Sequence, residues 1–247
     1  MKKLKNEKIL SVKICASPQK DILKEILRRI KNGEKTVVFT PNSQILLAAQ
    51  KSNKNRKMLN SSTINLPDGI GVILASKLKG GKIKKRISGI DLAEKLLLIA
   101  EKKGYRVFLL GAKDGVAKKA KDELKKRYPK LNICGTHHGY FGKTSAENKR
   151  VIDLINESTP DLLFVCLGSP YQEEWIEKNK KELHTVKLFM GLGGSLDVWS
   201  GNVKRAPTLL QALGLEWLYR TVKEPKRARI FLDIPRFLFA VLKQHPV

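Results

Sequence analysis

One carboxylate, Asp68, stands between Pro67 and Gly69, two residues that bend the backbone out of regular structure. On a turn ahead of the apolar run 72–78, such a carboxylate can take a proton from a substrate hydroxyl. It can equally cap the helix that follows, because Asp is a favoured N-cap residue. Thr40 and Asn42 flank Pro41 and fit either pocket lining or helix capping. Three small-residue turns, 111–113, 168–170 and 191–195, could each bring backbone N–H groups close to a phosphate.

Other chemistries are excluded by spacing. After Gly191 and Gly193, the third glycine of a dinucleotide fingerprint would fall on Leu196, and no Walker A sequence exists. The adjacent pair His137 and His138 would point different ways on an extended chain and has no partner set for zinc. No Asp-x-Asp occurs, so a nucleotide diphosphate would have to be neutralised by Arg, Lys and helix N-termini. Arg86 and the group Arg220, Arg227 and Arg229 are candidates, although a lone Arg is also an ordinary surface residue.

Elements must hold these loops in place. Apolar spacing predicts a helix over 21–31, closed by Asn32-Gly33, then a buried strand over 36–39 leading to Thr40, and a helix over 43–51. Strands over 105–110, 131–134, 161–167 and 186–190 alternate with helices over 116–128, 146–157 and 171–183. That alternation implies right-handed crossovers and a parallel sheet, so the fold class is α/β. Ligands of such sheets bind at the carboxyl ends of strands, where the polar loops fall. From 209 to 242 no strand pattern remains. Apolar and aromatic residues are mixed with Lys and Arg, and Pro225 and Pro235 divide the segment into short helices. Such helices suit a membrane interface, or else pack on the sheet. The division expected is residues 1–207 as catalytic domain and 208–247 as helical appendage.

The chain has 247 residues, 49 Lys and Arg against 23 Asp and Glu, and a formal charge of +26. That balance favours an anionic partner or reflects Lys-rich helix faces. Its 16 aromatic residues sit mostly in apolar runs and no nucleic-acid module is recognisable, so a nucleic-acid partner is not expected. Three widely spaced cysteines, Cys15, Cys134 and Cys166, fit a reducing cytoplasm, with Cys134 and Cys166 in the core. No signal peptide is read at the N-terminus, and no apolar run reaches the roughly 20 residues of a membrane span.

Taken together, Thr40-Pro41-Asn42, Pro67-Asp68-Gly69-Ile70-Gly71, Arg86 with Gly89 and Asp91, and Leu110-Gly111-Ala112 resemble one family in order along the chain. The match continues through 135–141, 167–173, 191–197, Lys204-Arg205-Ala206-Pro207 and 214–220. The pattern resembles the WecG/TagA/CpsF glycosyltransferases, family 26, and is closest to the teichoic acid branch.

The resemblance implies a Rossmann-like core with a C-terminal helical appendage. It implies transfer of N-acetylmannosamine from its UDP donor to the 4-hydroxyl of undecaprenyl-diphosphate-linked N-acetylglucosamine. The enzyme would need no metal or other cofactor. It would self-associate, and would work as a peripheral protein on the inner face of the cytoplasmic membrane, contacting it through the appendage. By position, Asp68 becomes the candidate base and Thr40 and Asn42 line its pocket. Arg86 and Gln172 position sugar phosphates, Asp197 meets the nucleotide, and Arg220, Arg227 and Arg229 close over diphosphate. The spacing of the last arginine departs from the family pattern. Another donor sugar, N-acetylmannosaminuronic acid or glucose, stays open. A membrane scaffold without chemistry would have no use for Asp68 and the loop set.

Overall fold

The computed structural model describes residues 3–142, 144–212, 214–223 and 230–244. A hairpin of β1 (Asn6–Ile9) and β2 (Val12–Cys15) opens the chain, followed by α1 (Gln19–Lys31) and β3 (Thr36–Phe39). Next come α2 (Ser43–Lys51), α3 (Asn53–Ser61), β4 (Ile64–Asn65), α4 (Ile70–Leu78) and α5 (Gly89–Lys103). The alternating part runs β5 (Val107–Gly111), α6 (Val116–Arg127), β6 (Ile133–His137), α7 (Ala146–Glu157), β7 (Leu162–Cys166), α8 (Tyr171–Asn179), β8 (Leu188–Gly191) and α9 (Ser195–Trp199). It ends in α10 (Thr208–Ala212), α11 (Glu216–Lys223) and α12 (Ile230–Lys243).

Contacts divide the chain into two compact units. The second, Leu23–Phe39 with Gly89–Lys204, holds five parallel strands in the order β3-β8-β7-β5-β6. Every residue of β3, β5, β7 and β8 is buried, which is why they read as unbroken apolar runs such as Leu162–Cys166. Helix α6 packs on β5 and β6, and α8 on β7 and β8. The expected α/β fold with a parallel, helix-flanked sheet is therefore observed. From β5 the chain moves to β6 on one side and returns to β7 on the other, making a topological switch at β5. Such a switch opens a crevice at the strands' carboxyl ends.

The first unit gathers Met1–Ile22, Thr40–Ser88 and Arg205–Val247. Here the hairpin packs on α3 and α4, and α12 packs on α2 and α4. Phe237 and Val241 are fully buried, so one face of α12 is core. Packing thus groups the C-terminal helices with residues 40–88, whereas the boundary taken at 207 follows the change in composition.

Several expectations are corrected. Pro235 lies inside α12 instead of ending a helix. It is exposed and sits just past the first turn, where only one backbone bond is forfeited. Strand β6 runs to His137 and α8 stops at Asn179. The His137 and His138 rings do not diverge but stack, with centroids 4.4 Å apart, because the chain leaves the strand after His137. Cys166 is core, as expected, but Cys134 is only half-buried.

Candidate active site

Within the first unit, three loops converge around Asp68. The Asp68 backbone N–H bonds to Leu66 O at 2.9 Å, making a tight turn. Gly69 is the N-cap of α4 at φ +86°, a conformation suited to glycine, so half-buried Asp68 stands one residue before the cap and does not itself cap the helix. A Cβ on Gly69 would lie 3.7 Å from Asn42 Cβ, and one on Gly71 would lie 2.0 Å from Ser43 Oγ. The missing side chains let the starts of α2 and α4 meet. Asn42 is the N-cap of α2. Its Oδ1 accepts from Gln44 and Ile45 N–H at 3.0 and 3.1 Å. Ile87 N–H donates to Pro67 O at 3.0 Å and brings the Arg86 loop alongside.

Arg86 is held by Glu216 at the start of α11. Its Nη1 and Nη2 both donate to Glu216 Oε2, at 3.2 and 3.3 Å. Arg205 Nε stands 3.9 Å from the other carboxylate oxygen. Glu216 is 8% exposed and Arg86 19%, so this charge pairing is largely out of water. The two contacts fix the direction of the Arg86 guanidinium.

The second unit carries a cleft of about 850 Å³ at the carboxyl ends of β5, β7 and β8, within the range of ligand pockets. Its walls are the loops after these strands, with Lys113, Tyr140, Glu147, Tyr171 and Asp197 among the lining side chains. The strand ends are pressed together. A Cβ on Gly111, at φ +135°, would fall 2.3 Å from Cys166 O, and one on Gly139 would fall 2.8 Å from Leu167 Cδ2. Cys166 also borders the cleft, but burial pushes its thiol up to about 12, so it stays protonated at neutral pH and is no nucleophile. Glu147 Oε2 accepts from Gly142 N–H at 2.6 Å and fixes one wall. Gln172 fixes another: its Oε1 accepts from Gly193 N–H at 2.8 Å. Gln172 is 2% exposed and sits behind the 191–195 turn. Among the described residues, no three His, Cys, Asp or Glu side chains form a metal-binding group.

Of the residues singled out from sequence, Thr40, Asn42, Asp68 and Arg86 thus belong to the first unit, and Gln172 and Asp197 to the second. Arg227 and Arg229, and the side chain of Arg220, lie outside the described residues. Sequence reasoning gave no role to Glu216 or Glu173. Glu216 had a signal, being an acid within the strongly basic stretch that starts at Lys204. Glu173 ends the matched stretch 167–173, but its burial appears only in three dimensions.

The profile described as "Glycosyl transferase WecG/TagA/CpsF family" matches residues 7–246. A Bacillus subtilis (strain 168) protein named N-acetylglucosaminyldiphosphoundecaprenol N-acetyl-beta-D-mannosaminyltransferase is 41% identical over 208 residues, covering 84% of this chain and 79% of its own. The Bacillus spizizenii protein of the same name is 41% identical over 206 residues, covering 83% and 78%. The Staphylococcus aureus (strain MRSA252) protein of that name is 35% identical over 206 residues, covering 83% and 79%. A match of this extent, on a sheet with its cleft at the switch point, shows that the chain belongs to the WecG/TagA/CpsF glycosyltransferase family.

Proposed function

We propose that this glycosyltransferase moves N-acetylmannosamine from UDP-N-acetylmannosamine to the 4-hydroxyl of undecaprenyl-diphosphate-linked N-acetylglucosamine, in making the linkage unit of wall teichoic acid. The observation that carries this reading is the 41% identity, over most of both chains, to a transferase named for that reaction.

In this reading the cleft takes the nucleotide. Asp197 offers its carboxylate to a hydroxyl or ring N–H of the nucleoside, and Lys113 faces the diphosphate. Asp68 accepts the proton of the acceptor O4–H as O4 bonds to the sugar C1. The bond from C1 to the UDP oxygen breaks with its electron pair on UDP, and the anomeric centre inverts. Thr40, Asn42 and Arg86 orient the sugar and phosphate groups around Asp68. Arg220, Arg227 and Arg229 supply charge to the diphosphate in place of a metal. No cofactor takes part.

The acceptor is a lipid, so the enzyme works as a peripheral protein on the inner face of the cytoplasmic membrane, and as a homo-oligomer. Among the described residues no helix is long and apolar enough to cross a membrane. What supports surface contact is α12, whose outer side exposes Leu232, Phe239 and Leu242 beside Arg236 and Lys243.

The test is UDP release from UDP-N-acetylmannosamine with a lipid-diphosphate-N-acetylglucosamine acceptor, in EDTA. Wild type should release UDP only when acceptor is present. Asp68→Ala should remain folded and lose about 10²–10⁴-fold in kcat. A loss below about threefold removes Asp68 as the base, and absence of wild-type turnover with this donor overturns the substrate assignment.

A further inference from the structure

Glu173 is 1% exposed, in the first turn of α8. Its Oε1 accepts from Gln172 Nε2 at 2.9 Å, while Oε2 makes no hydrogen bond of good geometry, with the Ser169 side chain and the Glu173 backbone as its neighbours. A buried carboxyl is a costly filler where an apolar side chain would pack without penalty. What it supplies to Gln172 is an acceptor. The Gln172 amide can sit in two orientations differing by a half-turn. In one, its oxygen meets Gly193 N–H; in the other, its NH₂ group meets that N–H, donor against donor. An acceptor at Glu173 admits only the first, because Gln172 Nε2 must then point at Glu173. The amide also lies tight against β8. A Cβ on Gly191 would come within 2.9 Å of Gln172 Nε2, so the backbone there leaves room for the amide and little else.

We infer that Glu173 is a positioning residue of the donor site: through the Gln172 amide it holds the Gly193 N–H, and with it the 191–195 wall of the cleft. The inference rests on the reading of that cleft as the nucleotide-sugar site. Glu173 touches no substrate. It acts as the outer end of a relay from α8 to the turn between β8 and α9.

The test uses the full-length protein and reads UDP affinity by titration, donor and acceptor KM, and hydrogen exchange at the Gly193 amide. Glu173→Gln keeps an acceptor oxygen in place, and should bind UDP within about twofold of wild type with Gly193 exchange unchanged. Glu173→Leu has similar bulk and no acceptor. It should weaken UDP binding and raise donor KM about tenfold, leave acceptor KM unchanged and speed Gly193 exchange. Gln172→Leu should do the same, and the double variant should be no weaker than Gln172→Leu alone, because two links in series do not add. Glu173→Asp withdraws the oxygen by about one C–C bond, roughly 1.5 Å, and stands in if the Leu variant does not fold; it should lose affinity where Gln does not. Wild-type affinity in both Glu173→Leu and Glu173→Asp, additive losses, or an equal rise in acceptor KM overturns the inference. If wild type itself binds no UDP, the reading of the cleft falls and this inference falls with it.

Discussion

Glu216 joins two arginines from distant parts of the sequence, Arg86 and Arg205, and its removal would take a mostly buried carboxylate from beside both. Glu216→Ala should therefore destabilise the protein by about 3 kcal/mol, measured by urea unfolding. A change within about 0.5 kcal/mol would mean that water reaches the pair freely. Glu173 predicts a pH dependence. Burial pushes its carboxyl above the ordinary value of 4.5, against the donation from Gln172. The folded state therefore holds the proton more tightly than the unfolded chain does. Its contribution is full below about 4.5 and declines as pH rises through the folded value. Glu173→Gln should remove that decline. Unfolding free energies collected across a pH series should lie on a flatter curve than wild type above 4.5, and parallel curves would exclude Glu173 as the source.

Elements differ in how openly the sequence announces them. Strands β5 and β7 are continuous apolar runs buried on both faces, and α2 and α7 begin beside the Asn42 and Ser145 caps. Apolar patterning alone marks all four. The N-terminal hairpin escaped, because its turn residues Leu10 and Ser11 adopt φ +47° and +63° without the Gly or Asn that marks such turns. Helix α12 was read as broken because Pro235 outweighed a pattern that the packing of Phe237 and Val241 in fact holds together. Asn42 was legible as a polar residue after a buried strand, Asp68 as a carboxylate between Pro67 and Gly69, and Arg86 as a candidate charge for a diphosphate. Their mutual approach was not, since it depends on close contacts such as Gly71 with Ser43. For α12, replacing exposed Leu232 and Phe239 together by Asp should lower binding to anionic vesicles at least tenfold while leaving turnover on a soluble acceptor analogue intact. Sedimentation with liposomes reads the first effect, and unchanged sedimentation would remove α12 as the membrane contact.

At the scale of the molecule, the cleft is built from the second unit alone, whereas Asp68 depends on a unit that needs residues 205–247. Ending the chain at Lys204 should therefore leave the second unit folded and abolish transfer, with UDP binding weakened by the loss of Arg220, Arg227 and Arg229. Hydrogen exchange should remain slow in β5 and β7 and become fast across 40–88. Equal loss of protection in both would show that they unfold together.

That interleaving also sets an order of events during synthesis. Residues 40–88 leave the ribosome long before the helix that covers α2 and α4. At 5–20 residues per second, the roughly 150 residues still to be made take about 8–30 s. Through that interval α2 and α4 lack the helix that packs on both in the finished protein. The segment bearing the proposed base is thus the last to be secured.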